Sequence, residues 1–247
     1  MSFAEKVAII TGASTGIGYL AAENLALEGA VVFLIGTKEA TIEEAAKKIR
    51  DKGGKAFGYQ ADVRDYDRIK EVTEKIYDEY SHIDILINCA GGASIRVFNR
   101  TEPFHEMPIE YLDWGLDVNL KGPMHMAHAV IGRMIEQKSG VIINIGSIDG
   151  QTGSAAIDYS AAKSGVMNGL TKSLALYGAP YGVRCCCVSP GPVLTRPAMA
   201  KMRTPLGRAA ETKEIVDLIL YLCSDKAAFV TGSNYMIDGG RSCGAQN

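Results

Sequence analysis

The chain alternates between short runs of consecutive apolar residues and longer stretches in which apolar positions recur every three or four residues. The short runs are Lys6–Ile10, Ala30–Ile35, Ala56–Gln60, Ile83–Asn88, Val141–Ser147, Val183–Ser189 and Ser233–Ile237. Runs of this kind suit strands covered on both faces. The periodic stretches are Tyr19–Ala26, Glu39–Lys52, Asp65–Tyr80, Pro108–Gln137, Tyr159–Gly178 and Glu211–Cys223. Their spacing is that of helices with one apolar stripe, and Gly53-Gly54 supplies a stop for the second. Strand and helix in alternation predict an α/β fold, with about seven parallel strands and helices on both faces. A break is expected near Gly122-Pro123. Residues 93–107 read as irregular loop, 196–208 as loop or short helix, and the tail from Arg241 to Asn247 as loosely held. No internal repeat, linker or low-complexity segment divides residues 1–247, so one domain is expected.

Composition narrows the class. Of 247 residues, 47% are hydrophobic, enough for one substantial core, and the net charge is −2. That balance offers no polyanion-binding surface, so nucleic acid is not expected as a partner. No apolar run reaches the ~18 residues of a membrane span. The opening Met1–Lys6 lacks the basic-then-apolar layout of a secretory leader, so a cytoplasmic location is expected. Of the six cysteines, Cys185, Cys186 and Cys187 are consecutive in a strand and point to alternating faces, which prevents them from closing a metal site together. They, Cys89 and Cys223 read as small core residues in a reducing compartment, with Cys243 exposed. His125 and His128 lack further ligands, and no metal is expected.

The chemistry gathers where strands end. Thr11-Gly12-Ala13-Ser14-Thr15-Gly16-Ile17-Gly18 lies between the first strand and first helix, the phosphate-binding arrangement of a dinucleotide fold. Small residues there admit a pyrophosphate, and a helix N-terminus supplies N–H groups. The second strand ends in Gly36-Thr37-Lys38 without a carboxylate, so a 2′-phosphate is not repelled. Thr37 and Lys38 are therefore expected to favour NADP(H) over NAD(H). Tyr159 and Lys163 share one helix face at four-residue spacing. A tyrosine of ordinary pKa, roughly 10, is a poor base at neutral pH. A nearby ammonium lowers that value, and about 3 units correspond to roughly 4 kcal/mol. Such a tyrosine can exchange a proton with an alcohol, and Ser147 can hydrogen-bond the same oxygen. Asn119 approaches the expected helix break, where freed backbone groups can hold a water.

Taken together, five motifs in order resemble the short-chain dehydrogenases/reductases over about residues 4–240. They are Thr11-Gly12-x-x-x-Gly16-Ile17-Gly18, Asn88-Cys89-Ala90-Gly91, Asn119, Ser147 with Tyr159-x-x-x-Lys163, and Pro190-Gly191. The resemblance implies a single-domain, doubly wound Rossmann fold and NAD(P)-dependent oxidation or reduction. It implies Tyr159 as general acid/base, Ser147 as the substrate-orienting hydroxyl, Lys163 on the tyrosine and nicotinamide ribose, and Asn119 on a relay water. Gly12, Ser14, Thr15, Gly16, Ile17 and Gly18 would cradle the pyrophosphate. Asp62 and Val63 would flank adenine. Asn88, Ala90 and Gly91 would line the ribose and nicotinamide side, and Pro190, Gly191, Val193 and Thr195 would fix the carboxamide. The family usually assembles as homotetramers, so a homotetramer or homodimer is implied. Three departures stand out: Cys89 replaces a second asparagine, Thr15 stands where many NADP-dependent members carry arginine or lysine, and the two mouth segments differ in length from the usual.

Those variable segments, about 92–107 and 192–210, border the expected substrate mouth. Together with Ile148–Gly153 they offer Ser94, Arg96, Asp149, Gln151 and Thr152. Such polar groups suit a sugar, polyol or other small hydroxylated compound. Arg96 can alternatively pair with a carboxylate or phosphate. A carrier-bound 3-oxoacyl chain is a second reading, a steroid is less favoured by this lining, and a non-catalytic nucleotide sensor is the reading from another class.

Overall fold

The computed structural model describes residues 2–244. Strand β1 (Val7–Thr11) leads through a tight turn into α1 (Gly16–Leu27). Then follow β2 (Val31–Gly36), α2 (Glu39–Asp51), β3 (Lys55–Gln60), α3 (Tyr66–Tyr80) and β4 (Ile85–Asn88). A single-turn helix α4 (Ser94–Val97) precedes α5 (Ile109–Leu116), a π turn (Asp117–Lys121) and α6 (Gly122–Glu136). The second half runs β5 (Gly140–Ile145), α7 (Ile148–Thr152), α8 (Ile157–Ser164), a second π turn (Gly165–Leu170) and α9 (Thr171–Gly178). It closes with β6 (Val183–Pro190), α10 (Thr212–Cys223) and β7 (Asn234–Ile237).

The seven strands form one sheet in the order β3-β2-β1-β4-β5-β6-β7, and every pairing is parallel. The order reverses between β1 and β4, which opens a crevice at the carboxyl ends of those strands. Side-chain alternation sorts the core into two layers. Ala8, Ile10, Val32, Leu34, Ile143 and Cys186 face α1, α2 and α10. Val7, Ile9, Phe33, Leu86, Ile142 and Cys185 face α3, α6 and α9. Cys187 returns to the second face and packs with Val166, Met167 and Leu170 of the π turn after α8. The three consecutive cysteines are thus core residues, as their alternation predicts.

At the carboxyl end of the sheet, a polar row interrupts this apolar pattern. Thr11, Asn88 and Asn144 stand in register across β1, β4 and β5. The Asn88 amide donates to Asn144 Oδ1 (2.9 Å) and to the Pro123 carbonyl (3.3 Å). The Asn144 amide donates to Thr171 Oγ1 (3.0 Å), which donates to the Val166 carbonyl (2.7 Å). These groups are buried, so each bond spares a polar atom from going unpaired.

Several expected boundaries change. The 93–107 loop contains α4 and a 3₁₀ turn at Phe104–Glu106. Phe98 packs on Tyr111 and Trp114, at centroid distances of 4.7 and 5.0 Å, fastening the segment to α5. The helix break is the π turn at Asp117–Lys121, while Pro123 sits in the first turn of α6, where a missing N–H costs nothing. The helix expected from Tyr159 to Gly178 is divided by the second π turn. The tail is not loose where it is described. Asp238 accepts from the N–H groups of Gly240 (2.9 Å) and Ser242 (2.7 Å), winding Arg241–Cys243 into a 3₁₀ turn. The last three residues of the expected tail, 245–247, lie outside the described residues.

Replacing Thr171 with Val should remove the hydroxyl that the Asn144 amide donates to, leaving that amide only the Cys185 sulfur at 3.6 Å, and should take one of two donors from the Val166 carbonyl. We expect a loss of about 1–3 kcal/mol, read as a melting temperature lower by roughly 2–12 °C.

Candidate active site

The turn after β1 is shaped by backbone clearance. Gly12 and Gly16 have φ of +63° and +61°, values that favour glycine. A Cβ on Gly12 would stand 2.7 Å from Ala90 Cα, and one on Gly18 would stand 2.6 Å from the Gly12 carbonyl oxygen. Thr11 Oγ1 accepts from the N–H groups of Cys89 (3.1 Å) and Ala90 (3.0 Å), drawing the β4 exit against this turn. Thr15 precedes α1 but makes no side-chain cap. The first-turn N–H groups therefore have no side-chain acceptor there, as an incoming phosphate requires. Beside the turn, a cavity of about 410 Å³ is lined by Gly12, Ser14, Thr37, Asp62, Ala90 and Gly91, among others. Val63, Arg64, Val97 and Trp114 also reach it. Shape and donors fit a dinucleotide.

On the other side of the Gly91–Val97 segment lies a second cavity of about 390 Å³, which contains Ser147, Asp149, Tyr159 and Gly191. Ser147 lies two residues past β5 as the N-cap of α7, where its hydroxyl accepts from the Asp149 N–H (3.2 Å). Lys163 is buried one helical turn beyond Tyr159; its ammonium donates to the Ile145 carbonyl (2.7 Å) and lies 5.6 Å from the tyrosine ring centroid. Asn119 sits in the first π turn, fully buried. Its amide donates to the carbonyls of Gly92 (2.9 Å) and Gly115 (2.8 Å), and its Oδ1 accepts from the Gly92 N–H (2.9 Å). The side chain thus ties the floor between the two cavities to the helix. A third cavity, about 480 Å³, opens at the amino ends of β4, β5 and β6 near Lys6 and Asp84, remote from every glycine and tyrosine motif.

Not every expected residue reaches these cavities. Asn88 is buried beneath the floor, its amide engaged with Asn144 and Pro123, because an even step along β4 turns it into the helix layer. Ser94 is fully buried, with no partner for its hydroxyl, rather than in the substrate wall. Gln151 and Thr152 lie exposed on α7 outside the wall, and the Thr152 hydroxyl bonds the Ile148 and Gly153 carbonyls. Ile17 packs on the core while staying partly exposed, whereas Val193 buries its side chain and could meet a cofactor only through backbone. Thr195 stands over the glycine turn, 3.4 Å from where a Gly16 Cβ would be, whereas Pro190 is buried at the end of β6. Lys38 is exposed at the start of α2, next to Thr37 but outside the cavity lining.

Conversely, Arg196, Met199, Met202 and Arg241 line the second cavity, and Arg64 lines the first, none of them singled out from the sequence. Arg64 is clamped to Asp62 (2.7 Å). His125 bonds the Val63 carbonyl (3.1 Å) and His128 the Tyr66 hydroxyl (2.6 Å), and no metal-binding cluster occurs among the described residues.

The chain also resembles known proteins. The short chain dehydrogenase family model matches residues 6–205. A cis-4-hydroxycyclohexanecarboxylate dehydrogenase of Sinomonas cyclohexanicum is 35% identical, with 97% of each chain covered. A 3-oxoacyl-[acyl-carrier-protein] reductase of Thermotoga maritima is 36% identical over 95% of this chain and 97% of its own. The crystal structure of a short-chain type dehydrogenase/reductase from Mycobacterium marinum superposes with a TM-score of 0.89 at 33% identity, covering 98% of this chain and 97% of that one.

The electrostatics of Tyr159 differ from the expectation that an ammonium sets them. Burial pushes its pKa above 10.0, and the Asp149 carboxylate adds to the rise. The Ser147 hydroxyl and the Arg96 guanidinium pull the other way. Lys163 is itself depressed by burial, its charge spent on the Ile145 carbonyl. Asp149 is raised by burial, against the pull of Ser154 and Arg241. In a spectrophotometric titration, the wild-type minus Tyr159→Phe difference should therefore develop above pH 10. Arg96→Gln, which removes a charge favouring the phenolate, should move that transition up, and Asp149→Asn should move it down.

Proposed function

The chain belongs to the short-chain dehydrogenases, enzymes that oxidise CH–OH groups or reduce the corresponding carbonyls with a nicotinamide cofactor, and we propose that Tyr159, Ser147, Lys163 and Asn119 carry that chemistry here. The carrying observation is the meeting of the Tyr159 phenol and Ser147 hydroxyl in one cavity beside a glycine turn that admits phosphate. Gly12, Ser14, Ala90 and Gly91, with the α1 N-terminus, would hold the dinucleotide, which supplies the hydride acceptor or donor. Tyr159 takes the hydroxyl proton during oxidation and returns it during reduction. Ser147 donates to the same substrate oxygen and holds it at the tyrosine. Lys163, buried one helical turn away and bonded to the Ile145 carbonyl, would reach for the cofactor's ribose. Asn119, with its side chain engaged, offers only backbone groups of its π turn to a relay water.

Our reading of the substrate is a sugar, polyol or other small hydroxylated compound, supported by Ser147, Asp149 and Ser154 in the cavity wall. A 3-oxoacyl chain is the second reading, for which Ile95, Ile148, Met199 and Met202 provide an apolar side. NADP(H) is favoured by the absence of a carboxylate after β2 and by Thr37 in the cavity, with Lys38 adjacent. Assembly as a homotetramer or homodimer is supported by exposed Leu116 and Met124 on α5 and α6 and Leu176 and Tyr177 on α9. No helix among the described residues is long and apolar enough to cross a membrane. A cytoplasmic site of action is supported by six unpaired cysteines.

Tyr159→Phe should lower kcat by about 10²–10⁴-fold without displacing the melting curve. A fall of less than tenfold would remove Tyr159 from the role. Saturating NADPH, at about 100 times its dissociation constant, should stabilise the protein by roughly 2.7 kcal/mol. NADH at the same concentration should stabilise it less, and Lys38→Ala should close that gap. A larger shift with NADH in the wild type would reverse the cofactor preference.

A further inference from the structure

The cavity that holds Tyr159 and Ser147 also holds three arginines, Arg96, Arg196 and Arg241, against a single carboxylate, Asp149. Arg241 and Asp149 act on each other, which leaves two positive charges over. Six of the eight arginines outside this cavity, Arg50, Arg64, Arg68, Arg100, Arg133 and Arg208, contact a carboxylate, and Arg184 donates to the backbone carbonyls of Leu222, Ser224 and Val230. Neither Arg96 nor Arg196 has such a partner among the described residues. Arg196 reaches only the Met199 sulfur, at 3.6 Å. The two come from distant segments, α4 and the approach to a 3₁₀ turn at Pro197–Lys201, yet they are close enough to repel. Partial burial and then the Arg196 charge both lower the proton affinity of Arg96. Bringing like charges together beside a reacting centre costs stability, and an oxyanion between them would turn that repulsion into attraction. Planar guanidiniums with forked donors suit carboxylate and phosphate oxygens.

From this, and resting on the oxidoreductase reading of the same site, we propose that the substrate carries an oxyanion, a carboxylate or a phosphate monoester, which Arg96 and Arg196 bind while its hydroxyl or carbonyl meets Tyr159 and Ser147. Arg96 then has two effects, holding the anionic end and lending positive charge to the tyrosine. A neutral sugar or polyol would leave both guanidiniums without a counter-charge. Sugar acids, hydroxy acids and phosphorylated polyols satisfy both ends.

Calorimetric titration of the cofactor-loaded and cofactor-free protein with unreactive ligands tests this. The ligands are straight-chain carboxylates of four to seven carbons, their primary amides, and alkyl phosphates of matching length. At least one anionic series should bind tenfold or more tightly than the amides, and whichever series wins identifies the anion. Arg96→Gln and Arg196→Gln should each weaken that series about tenfold and leave the amides in place, with Arg96→Lys retaining part of the gap. Amides binding as tightly as both anions, or no anion binding at all, would overturn the proposal. Turnover is scored separately. Oxidation of neutral alcohols that disappears in Tyr159→Phe, without any anion preference, keeps the enzyme reading and sinks this one. Anion binding without turnover of any alcohol or ketone does the reverse.

Discussion

A chain of buried hydrogen bonds, running from the Val166 carbonyl through Thr171, Asn144 and Asn88 to the Pro123 carbonyl, carries the active-site geometry. It crosses from one flanking helix to the other through two strands of the sheet. Both helices contain a π turn, and a widened turn frees carbonyls that an ordinary helix would satisfy. The network adds the Thr171 hydroxyl to a Val166 carbonyl that already accepts the Thr171 N–H across the π turn, and it reaches the first turn of α6 just beyond the other π turn. Asn119 lies in the first widened turn and Lys163 immediately before the second. The positions of these two side chains therefore follow from polar atoms that never touch a ligand.

Above this floor, Tyr159 stands between opposed influences. Burial and Asp149 favour the neutral phenol, while Ser147 and Arg96 favour the phenolate. The two charged groups also line the same cavity as Tyr159, so a charged ligand bound there would alter the proton affinity of the residue beside it. On the proposed reading, recognition and proton transfer share the same side chains, and a substitution made for one would be felt by the other.

How far the sequence led depended on what each feature needs. The seven strands and long helices were legible because a sheet covered on both faces imposes a pattern along every element. Helices α4 and α7 were not, since one turn shows no period. The π turns left only a blurred break, attributed to Pro123, although that residue fits the first turn of α6 without strain. The tight turn at Gly12, Gly16 and Gly18 could be read because its clearance depends on missing side chains. Asn88 and Ser94 could not be placed, because their roles depend on which way a side chain turns. Arg196 and Arg241 carry no local pattern; they share a cavity with Tyr159 only because the segment after β6 and the turn after β7, which packs on α7, converge there.

The cysteine-bearing strand has a practical consequence. Cys185, Cys186, Cys187 and Cys223 are buried, and burial raises their pKa, so each is shielded and poorly ionised, while Cys243 is exposed. An alkylating reagent would mark Cys243 at once and the sheet thiols only when the central strands separate. Counting labels per molecule by mass spectrometry would thus time whole-molecule opening with a natural stopwatch, without any introduced dye.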